Sequence, residues 1–412
     1  MRLDWIASRG EPLRGRLRVP GDKSVSHRAV MLAAIADGTS RITGFLEGED
    51  TLATARVFEQ LGVRIERPSP GERIVHGVGL HGLRASRRPL DCGNAGTGMR
   101  LLAGLLAGQG FDSELVGDAS LSKRPMARVT EPLSRLGAVI ESNGGLPPLH
   151  IRGGQALRGG DITTGVASAQ VKSALLLAGL YATEPVAVIE PTPTRDYTER
   201  MLQAFGVEVA IEPCYARVVP PAALRATDID VPSDFSSAAF FLVAACLVPG
   251  SDILLEAVGM NPRRTGLLRA LHLMGASIDV LNQRDQGGEP IADLHVRAAP
   301  LQGIEVPEDI VPDMIDEFPA LFVAAALAEG STVVRGAAEL RVKESDRIAT
   351  MAAGLRAIGA CIDETPDGAV IHGGIIGAGD ADSHGDHRIA MSLAIAAQCA
   401  SGDIRIGDVG NV

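Results

Sequence analysis

VPGDKSVSHRAVMLAAIADG (19–38), VPSDFSSAAFFLVAACLVPG (231–250) and VPDMIDEFPALFVAAALAEG (311–330) lie far apart in the chain and read alike. Each opens on Val-Pro, continues through a polar loop, turns alanine-rich and closes on Gly; a short β-like run follows, SRIT (40–43), DILLEAV (252–258) and TVVR (332–335) respectively. Looser copies run from Asn94 to Gly110 before SELV, from Ala167 to Gly179 before VAVIE, and from Asp386 to Gly402 before IRI, which makes six. A helix that stops at glycine and feeds a strand is a supersecondary unit, and its repetition governs the fold.

A second signature comes later in each unit. FEQLGVRIE, LSRLGAVIE, LQAFGVEVAIE, LHLMGASIDV and LRAIGACIDE are amphipathic helix ends running into strands, with Gly62, Gly137, Gly206, Gly275 and Gly359 at the expected C′ positions. The full unit therefore reads polar loop, apolar helix, strand, turn, amphipathic helix, strand, recurring roughly every 70 residues. The Val-Pro of the first unit returns at Val231–Asp234, which predicts a lobe boundary there and a return hinge near Val19–Gly21. The expected fold class is α/β with two pseudo-symmetric lobes of three units each, one spanning 20–233 and the other 1–19 plus 234–412. Only five second helices match six first helices; the sixth terminating Gly would fall roughly at position 430 by the repeat spacing, beyond Val412, so the last unit is expected to be incomplete.

Composition narrows the function classes. The 412 residues are 46% hydrophobic with only 3% aromatics, enough for two sizeable cores built from small side chains. The net charge of −11 argues against a general binder of nucleic acid or anionic membranes, while leaving room for a local cationic pocket. The longest unbroken apolar run, Ala238 to Val248, is about half of the ~20 residues that a membrane span needs, and Met1 to Pro20 is charged where a signal peptide would be apolar. A cytoplasmic protein is expected. The five cysteines are scattered among mostly apolar neighbours with no Cys-x-x-Cys pair, as reduced packing residues would be.

Polar residues gather just before the first helix of each unit: Asp22-Lys23-Ser24-Val25-Ser26-His27-Arg28, Asn94 through Arg100, Ser168-Ala169-Gln170, Asp313-Met314-Ile315-Asp316-Glu317 and Asp386-His387-Arg388. Helix starts offer free N–H groups and a positive dipole end, so several of them facing one cleft form an anion trap, to which Lys23 and Arg28 add full charges. Any single loop is equally explained by N-capping beside solvated neighbours; cations recurring in several homologous loops are not. Gly96-Thr97-Gly98 lets backbone approach a ligand closely, since glycine has no Cβ. Lys123-Arg124 precedes Pro125 at a plausible first helical position, and Arg341 through Arg347 reads as another helix start in which Glu344 lies between Lys343 and Arg347, either a surface i,i+3 pair or an acid/base group inside a phosphate site. Arg195, in Thr194-Arg195-Asp196, is a further guanidinium suited to a bidentate phosphate contact. Gly77-Val78-Gly79-Leu80-His81-Gly82 fits GxGxxG but sits among strand-like residues, no Walker A sequence occurs, and His384-Gly385-Asp386-His387 lacks a second ligand cluster, so dinucleotide, P-loop and metal readings fall away.

Taken together, PGDKSVSHR (20–28), GNAGTGMRLL (93–102), GDASLSKRPM (117–126), SAQVKSALLLAGL (168–180), EPTPTRDYTERML (190–202), ELRVKESDR (339–347) and GDHRIAM (385–391) resemble the 5-enolpyruvylshikimate-3-phosphate synthase family, in its divergent bacterial branch. The resemblance spans essentially the whole chain. It implies a two-lobed inside-out α/β barrel of six βαβαββ units whose lobes close on substrate, excluding water from a reactive intermediate. It implies transfer of the enolpyruvyl group of phosphoenolpyruvate to the 5-hydroxyl of shikimate 3-phosphate, with release of phosphate, in the shikimate pathway that leads to chorismate and the aromatic amino acids; the family is also the glyphosate target. Shikimate 3-phosphate would meet Lys23, Ser24, Arg28, Ser168, Gln170, Arg195, Asp313 and Lys343, and phosphoenolpyruvate Lys23, Gly96, Arg124, Gln170, Arg347 and Arg388. Asp313 matches the group that takes the hydroxyl proton, with Glu344 and Lys23 as the candidates for protonating C3 and stabilising charge. No metal or organic cofactor is implied, and family members are usually monomers.

Two departures stand out: Ala169 replaces a serine of the enteric branch, removing one hydroxyl contact for which Arg195 is the expected substitute, and the family continues past Val412 with a helix that closes the sixth unit. The sister transferase acting on UDP-N-acetylglucosamine shares the fold and phosphoenolpyruvate, and Asp118 in the 115–124 loop is compatible with it; SAQVKSA and RVKESDR argue the other way. A non-catalytic anion-binding paralogue would have lost the acid/base set, yet Lys23, Asp313 and Glu344 are all present.

Overall fold

A computed structural model describes residues 3–410 and 412, so Met1, Arg2 and Asn411 of the expected second lobe lie outside the described residues. Eleven α-helices alternate with short strands: α1 (Lys23–Ala34), α2 (Glu49–Gln60), α3 (Gly96–Ala107), α4 (Ala127–Arg135), α5 (Ala169–Gly179), α6 (Tyr197–Ala204), α7 (Phe235–Leu247), α8 (Gly266–Leu273), α9 (Phe318–Ala326), α10 (Arg347–Ala357) and α11 (His387–Ala397). The odd-numbered helices are the alanine-rich first helices, and all but α11, whose Met391, Ala394 and Ile395 are only partly buried, are buried almost all round; α7 and α9 hold Phe235, Phe240, Phe318 and Phe322 in the core. The even-numbered ones are the second helices. The five that precede the glycines noted above end on left-handed C′ residues, with φ of +92° at Gly62, +99° at Gly137, +83° at Gly206, +88° at Gly275 and +93° at Gly359, a conformation that a side chain would strain.

Six sheets accompany these helices. Strands Gly160–Thr163 and Val186–Ile189 show the plan: they pair in parallel across the α5 crossover, with Gly160 opposite Val186, and the second strand then pairs antiparallel with Tyr215–Val218, which forms a hairpin with Val209–Glu212. A parallel pair needs a crossover connection, which the buried first helix supplies. In the first repeat the parallel edge strand is Ile229–Asp230, from far along the chain, with Ile229 opposite Ile42. The repeat around α7 takes its edge strand from the N-terminal segment, Arg14–Leu17 beside Asp252–Leu255. In the last repeat Gly379–Asp382 pairs in parallel with Ile404–Gly407, and Trp5–Ala7 lies antiparallel to the latter, where a hairpin strand lies in the other repeats.

The chain divides into two compact units. One comprises Pro20–Pro232 with Asp285–Pro290, and the other Val19 and the residues before it, Ser233–Arg284, and Ile291 onward. Each has its own continuous core. Residues 285–290 belong with the first of these. A Cβ at Gly288 would lie 2.5 Å from the Arg200 carbonyl oxygen, so this turn packs directly on the middle of α6. Among the described residues no helix is long and apolar enough to cross a membrane.

Candidate functional site

In the unit holding Pro20–Pro232, side chains collect at the starts of α1, α3 and α5. Asp22 caps α1, accepting from Val25 N–H at 2.9 Å, and its other oxygen accepts from the Tyr197 hydroxyl at 3.1 Å. This fixes the first turn carrying Lys23 and Ser24. Lys23 is half exposed and paired with Asp50 in the first turn of α2. Arg28 is buried: Nε donates to Thr198 Oγ1 at 2.7 Å, Nη1 to the Ser24 carbonyl at 2.9 Å, Nη2 to Ser173 Oγ at 2.9 Å, and the guanidinium sits 5.6 Å from the Tyr197 ring centre. Burial lowers its pKa, against the pull of Glu199, Tyr197 and Asp22. His27, one position away, is pushed down to about 3 by burial and by Lys23 and Arg28, so it is a neutral ring, with Nδ1 on Thr54 Oγ1 at 2.8 Å.

Around Gly96 the charge balance changes. A Cβ there would lie 3.0 Å from Arg124 Nη1 and 3.4 Å from Arg100 Nη1, so two guanidiniums crowd the one position that offers no side chain. Arg124 is held by Asn94 Oδ1, by the Asn94 carbonyl at 3.4 Å and by Ser120 Oγ at 3.2 Å. Asp118 fixes that loop by accepting from Ser120 and Leu121 N–H and from Asn94 Nδ2. Arg100 donates to Gln170 Oε1 at 2.6 Å, and Gln170 in turn donates to Thr97 Oγ1 at 2.9 Å. Arg100 Nε is buried without a hydrogen-bond partner. Burial and the repulsion of Arg128 and Arg124 push the pKa of Arg100 down to about 10. Gly96, Arg124 and Gln170, expected from sequence, are thus brought together by Arg100, which was not among the expected site residues although it ends the GNAGTGMR motif. Its signal was spacing: Gly96 and Arg100 are i and i+4 on one helix face. Ser168 caps α5, accepting from Val171 N–H at 3.4 Å.

In the other unit Asp316 is the hub. Its carboxylate lies 3.4 Å from Arg264 Nη1, 3.4 Å from Arg347 Nη1 and 3.8 Å from Lys343 Nζ, and its carbonyl accepts from Arg388 Nη1 at 3.1 Å. Arg347 is almost fully buried, with Nη2 2.6 Å from Glu344 Oε2 and Nε 2.9 Å from Asp386 Oδ2. Although burial opposes it, Asp386, Glu344 and Asp316 hold the Arg347 pKa above its usual value; Arg347 in turn holds Asp386 below the ordinary carboxylate range. Asp386 also caps α11, accepting from Arg388 N–H at 3.0 Å. Asp313, three residues before the hub, faces Arg263 Nη1 at 3.4 Å.

Two local readings need correction. Pro125 is not the first residue of a helix: Leu121–Lys123 is a 3-10 turn, and α4 begins at Ala127 after Met126. Glu344 is not shared between two cations. It makes the i,i+3 pair with Arg347, whereas Lys343 turns to Glu339 at 2.6 Å and to Asp316, because the 3-10 turn Ala338–Val342 ends just before Lys343 and α10 starts only at Arg347.

This chain matches the profile of EPSP synthase (3-phosphoshikimate 1-carboxyvinyltransferase) over residues 7–412. It belongs to the EPSP synthase family. The 3-phosphoshikimate 1-carboxyvinyltransferases of Xanthomonas campestris pv. campestris (strain B100) and Xanthomonas axonopodis pv. citri (strain 306) are each 68% identical to it over 409 residues, 99% of this chain and 93% of theirs. The 2.37 Å structure of EPSP synthase from Acinetobacter baumannii superimposes with a TM-score of 0.95 at 52% identity, covering 99% of this chain and 94% of that one. A second Acinetobacter baumannii EPSP synthase structure gives 0.94 at 51% identity. The chain is therefore a transferase with the enolpyruvyl transferase fold, and the shikimate-pathway reading takes precedence over the UDP-N-acetylglucosamine alternative.

Proposed function

We propose that this chain joins phosphoenolpyruvate to the 5-hydroxyl of shikimate 3-phosphate through the residues described above. The observation that carries the assignment is the crowding of Arg100 and Arg124 around Gly96, with only neutral acceptors within hydrogen-bond reach of their side chains among the described residues. Such a site lacks an anion and is relieved by one. Phosphoenolpyruvate is bound by Lys23, Gly96, Arg124, Gln170, Arg347 and Arg388. Shikimate 3-phosphate is bound by Lys23, Ser24, Arg28, Ser168, Gln170, Arg195, Asp313 and Lys343; Arg28, whose guanidinium also donates to three internal acceptors, holds Ser24 as well. Asp313 takes the proton of the 5-hydroxyl as its oxygen bonds to C2, and Glu344 or Lys23 delivers a proton to C3. The tetrahedral adduct then loses a proton from C3 and expels phosphate, restoring the double bond.

The test mixes the purified chain with both substrates and follows phosphate release, with UDP-N-acetylglucosamine in parallel. Release with shikimate 3-phosphate alone, falling ~100- to 10,000-fold in Asp313→Ala, supports the assignment; equal release with the sugar nucleotide, or full activity of the variant, overturns it. By resemblance to its family the chain works as a cytoplasmic monomer, which light scattering at working concentration tests for the oligomeric state.

A further inference from the structure

Beneath the loop carrying Arg195 lies a buried charge cluster that the reaction itself does not use. Lys172 on α5 has its Nζ 2.8 Å from Glu190 Oε2 and 2.8 Å from Glu199 Oε1, with side-chain exposures of 5%, 2% and 1%. The same Nζ donates to the Thr194 carbonyl at 3.3 Å, and Thr194 Oγ1 donates to Glu190 Oε1 at 2.5 Å. Thr194 is therefore gripped through both its backbone and its hydroxyl, one residue before Arg195. Arg28 lies nearby, donating to Thr198 Oγ1 and Ser173 Oγ, whose hydroxyls lie 2.8 Å apart and whose residues adjoin Glu199 and Lys172 in sequence.

The cluster joins three pieces of chain. Lys172 stands in the first turn of α5, just after Ser168 and Gln170; Glu190 follows strand Val186–Ile189; Glu199 lies in the first turn of α6. Between the last two, residues 191–196 have no helix or strand of their own and contain Pro191 and Pro193, which have no N–H to donate. A buried ion cluster of this kind contributes little net stability, because desolvation offsets the attraction, but it fixes geometry strictly: any other arrangement strands a charge.

We infer that Lys172 is a positioning residue for the acceptor substrate: held by Glu190, Glu199 and the Thr194 carbonyl, it locks the segment that presents Arg195 to the start of α5. The inference rests on the assignment of Arg195 to the phosphate of shikimate 3-phosphate. Lys172 does not touch substrate.

The experiment uses the full chain and reads three quantities for Lys172→Met: Kd for shikimate 3-phosphate by calorimetry, KM for phosphoenolpyruvate at saturating acceptor, and Tm. The expected result is a tenfold or greater rise in Kd with KM for phosphoenolpyruvate within twofold. In an Arg195→Ala background the same substitution should change Kd less than twofold, since the group it positions is gone. Kd and KM rising together, or the same tenfold loss in both backgrounds, shows a general structural role and overturns the inference. An Arg195→Ala variant that binds shikimate 3-phosphate normally overturns the assignment of Arg195 and the inference with it; a weakened Arg195→Ala beside a normal Lys172→Met overturns the inference alone. If Lys172→Met does not fold, Thr194→Val removes only the hydroxyl grip on Glu190 at a partly exposed position. It should weaken acceptor binding three- to fivefold, and an unchanged Kd again overturns the inference.

Discussion

Adding one methyl group at Gly96 separates binding from stability in this fold. The new Cβ would lie 3.0 Å from Arg124 Nη1, 3.4 Å from Arg100 Nη1 and 3.6 Å from Leu121 Cδ1. The first contact is too close for a carbon and a nitrogen, so the Arg124 guanidinium must yield by a few tenths of an ångström. It can do so because it is the end of a long side chain held by Asn94 and Ser120. Folding therefore loses little, and alanine at a helical position recovers up to ~0.5–1 kcal/mol relative to glycine. Anion binding loses more, because a displaced guanidinium surrenders part of a charge-assisted hydrogen bond and the methyl fills space left for the ligand; about 1–2 kcal/mol is a reasonable share of the ~1.5–3 kcal/mol such bonds contribute. Gly96→Ala should thus raise KM for phosphoenolpyruvate roughly 5- to 30-fold, with kcat within twofold and Tm within about 2–4 °C of the parent. Steady-state kinetics at saturating shikimate 3-phosphate, with thermal melts on the same preparations, measure both. An unchanged KM refutes the placement of phosphoenolpyruvate at this glycine, and a large drop in Tm refutes the claim that Arg124 can yield.

Other substitutions test the remaining parts of the site. Asp386→Ala strips Arg347 of a buried partner and α11 of its cap, which should cost about 3–5 kcal/mol in urea unfolding, while Asp386→Asn retains the cap and should be roughly 1 kcal/mol less damaging. Because Arg347 lowers the Asp386 pKa in the folded state, this contribution is fully present above the ordinary carboxylate pKa of about 4 and is lost only as pH falls below it, so the difference between parent and variant should be flat from about pH 5 to 8 and shrink under pH 4. His27 works at higher pH: its folded pKa of about 3 lies below the ordinary histidine value of 6.5, so the unfolded chain takes up a proton first and stability falls as pH drops from about 6.5 towards 3, by of order 5 kcal/mol in all. His27→Asn should remove that slope, and a pH-independent difference between the two proteins would contradict a buried neutral ring. Glu344→Gln takes away one carboxylate from Arg347, so phosphoenolpyruvate should bind a few-fold more tightly while kcat falls ~100-fold or more if Glu344 is the proton donor; unchanged kcat would leave Lys23 in that role.

The repeat could be read from sequence because it is local: Val-Pro, an alanine-rich helix and a glycine at C′ state their geometry within about 20 residues of chain. Capping was legible for the same reason at Asp22 and Ser168, whose side chains accept from N–H groups three residues on. The edge strands were not, since Arg14–Leu17 finds its partner at Asp252–Leu255 and no local pattern encodes so distant a pairing. Buried cations failed in the same way. Lys172 and Arg100 look like ordinary polar residues on helices, and only Glu190, Glu199 and Gln170, brought in from other elements, make their burial tolerable. Arg28 was legible as a cation but not as one already committed to Thr198, Ser173 and the Ser24 carbonyl.

A chain of net charge −11 that must gather multiply charged anions needs local reversals of sign, and the two units arrange them differently. Around Gly96, Arg100 and Arg124 are satisfied by Gln170, Asn94, Ser120 and backbone carbonyls, all neutral, and one buried Nε lacks a partner altogether. Burial first, and then repulsion from Arg128 and Arg124, lowers the pKa of Arg100, so an arriving anion removes a cost the fold already carries. Around Asp316 the reverse holds: Arg347 already touches Glu344, Asp386 and Asp316, so an anion reaching it must first displace a carboxylate. Asp386 is buried and caps a helix, and Asp316 serves three other cations, but Glu344 is 58% exposed and joined to Arg347 by a single contact. Glu344 is therefore the carboxylate that can swing away at least cost. On the assignment proposed above, its displacement by substrate leaves a carboxylate free of Arg347 near C3, and that carboxylate must take up a proton from solvent before it can deliver one.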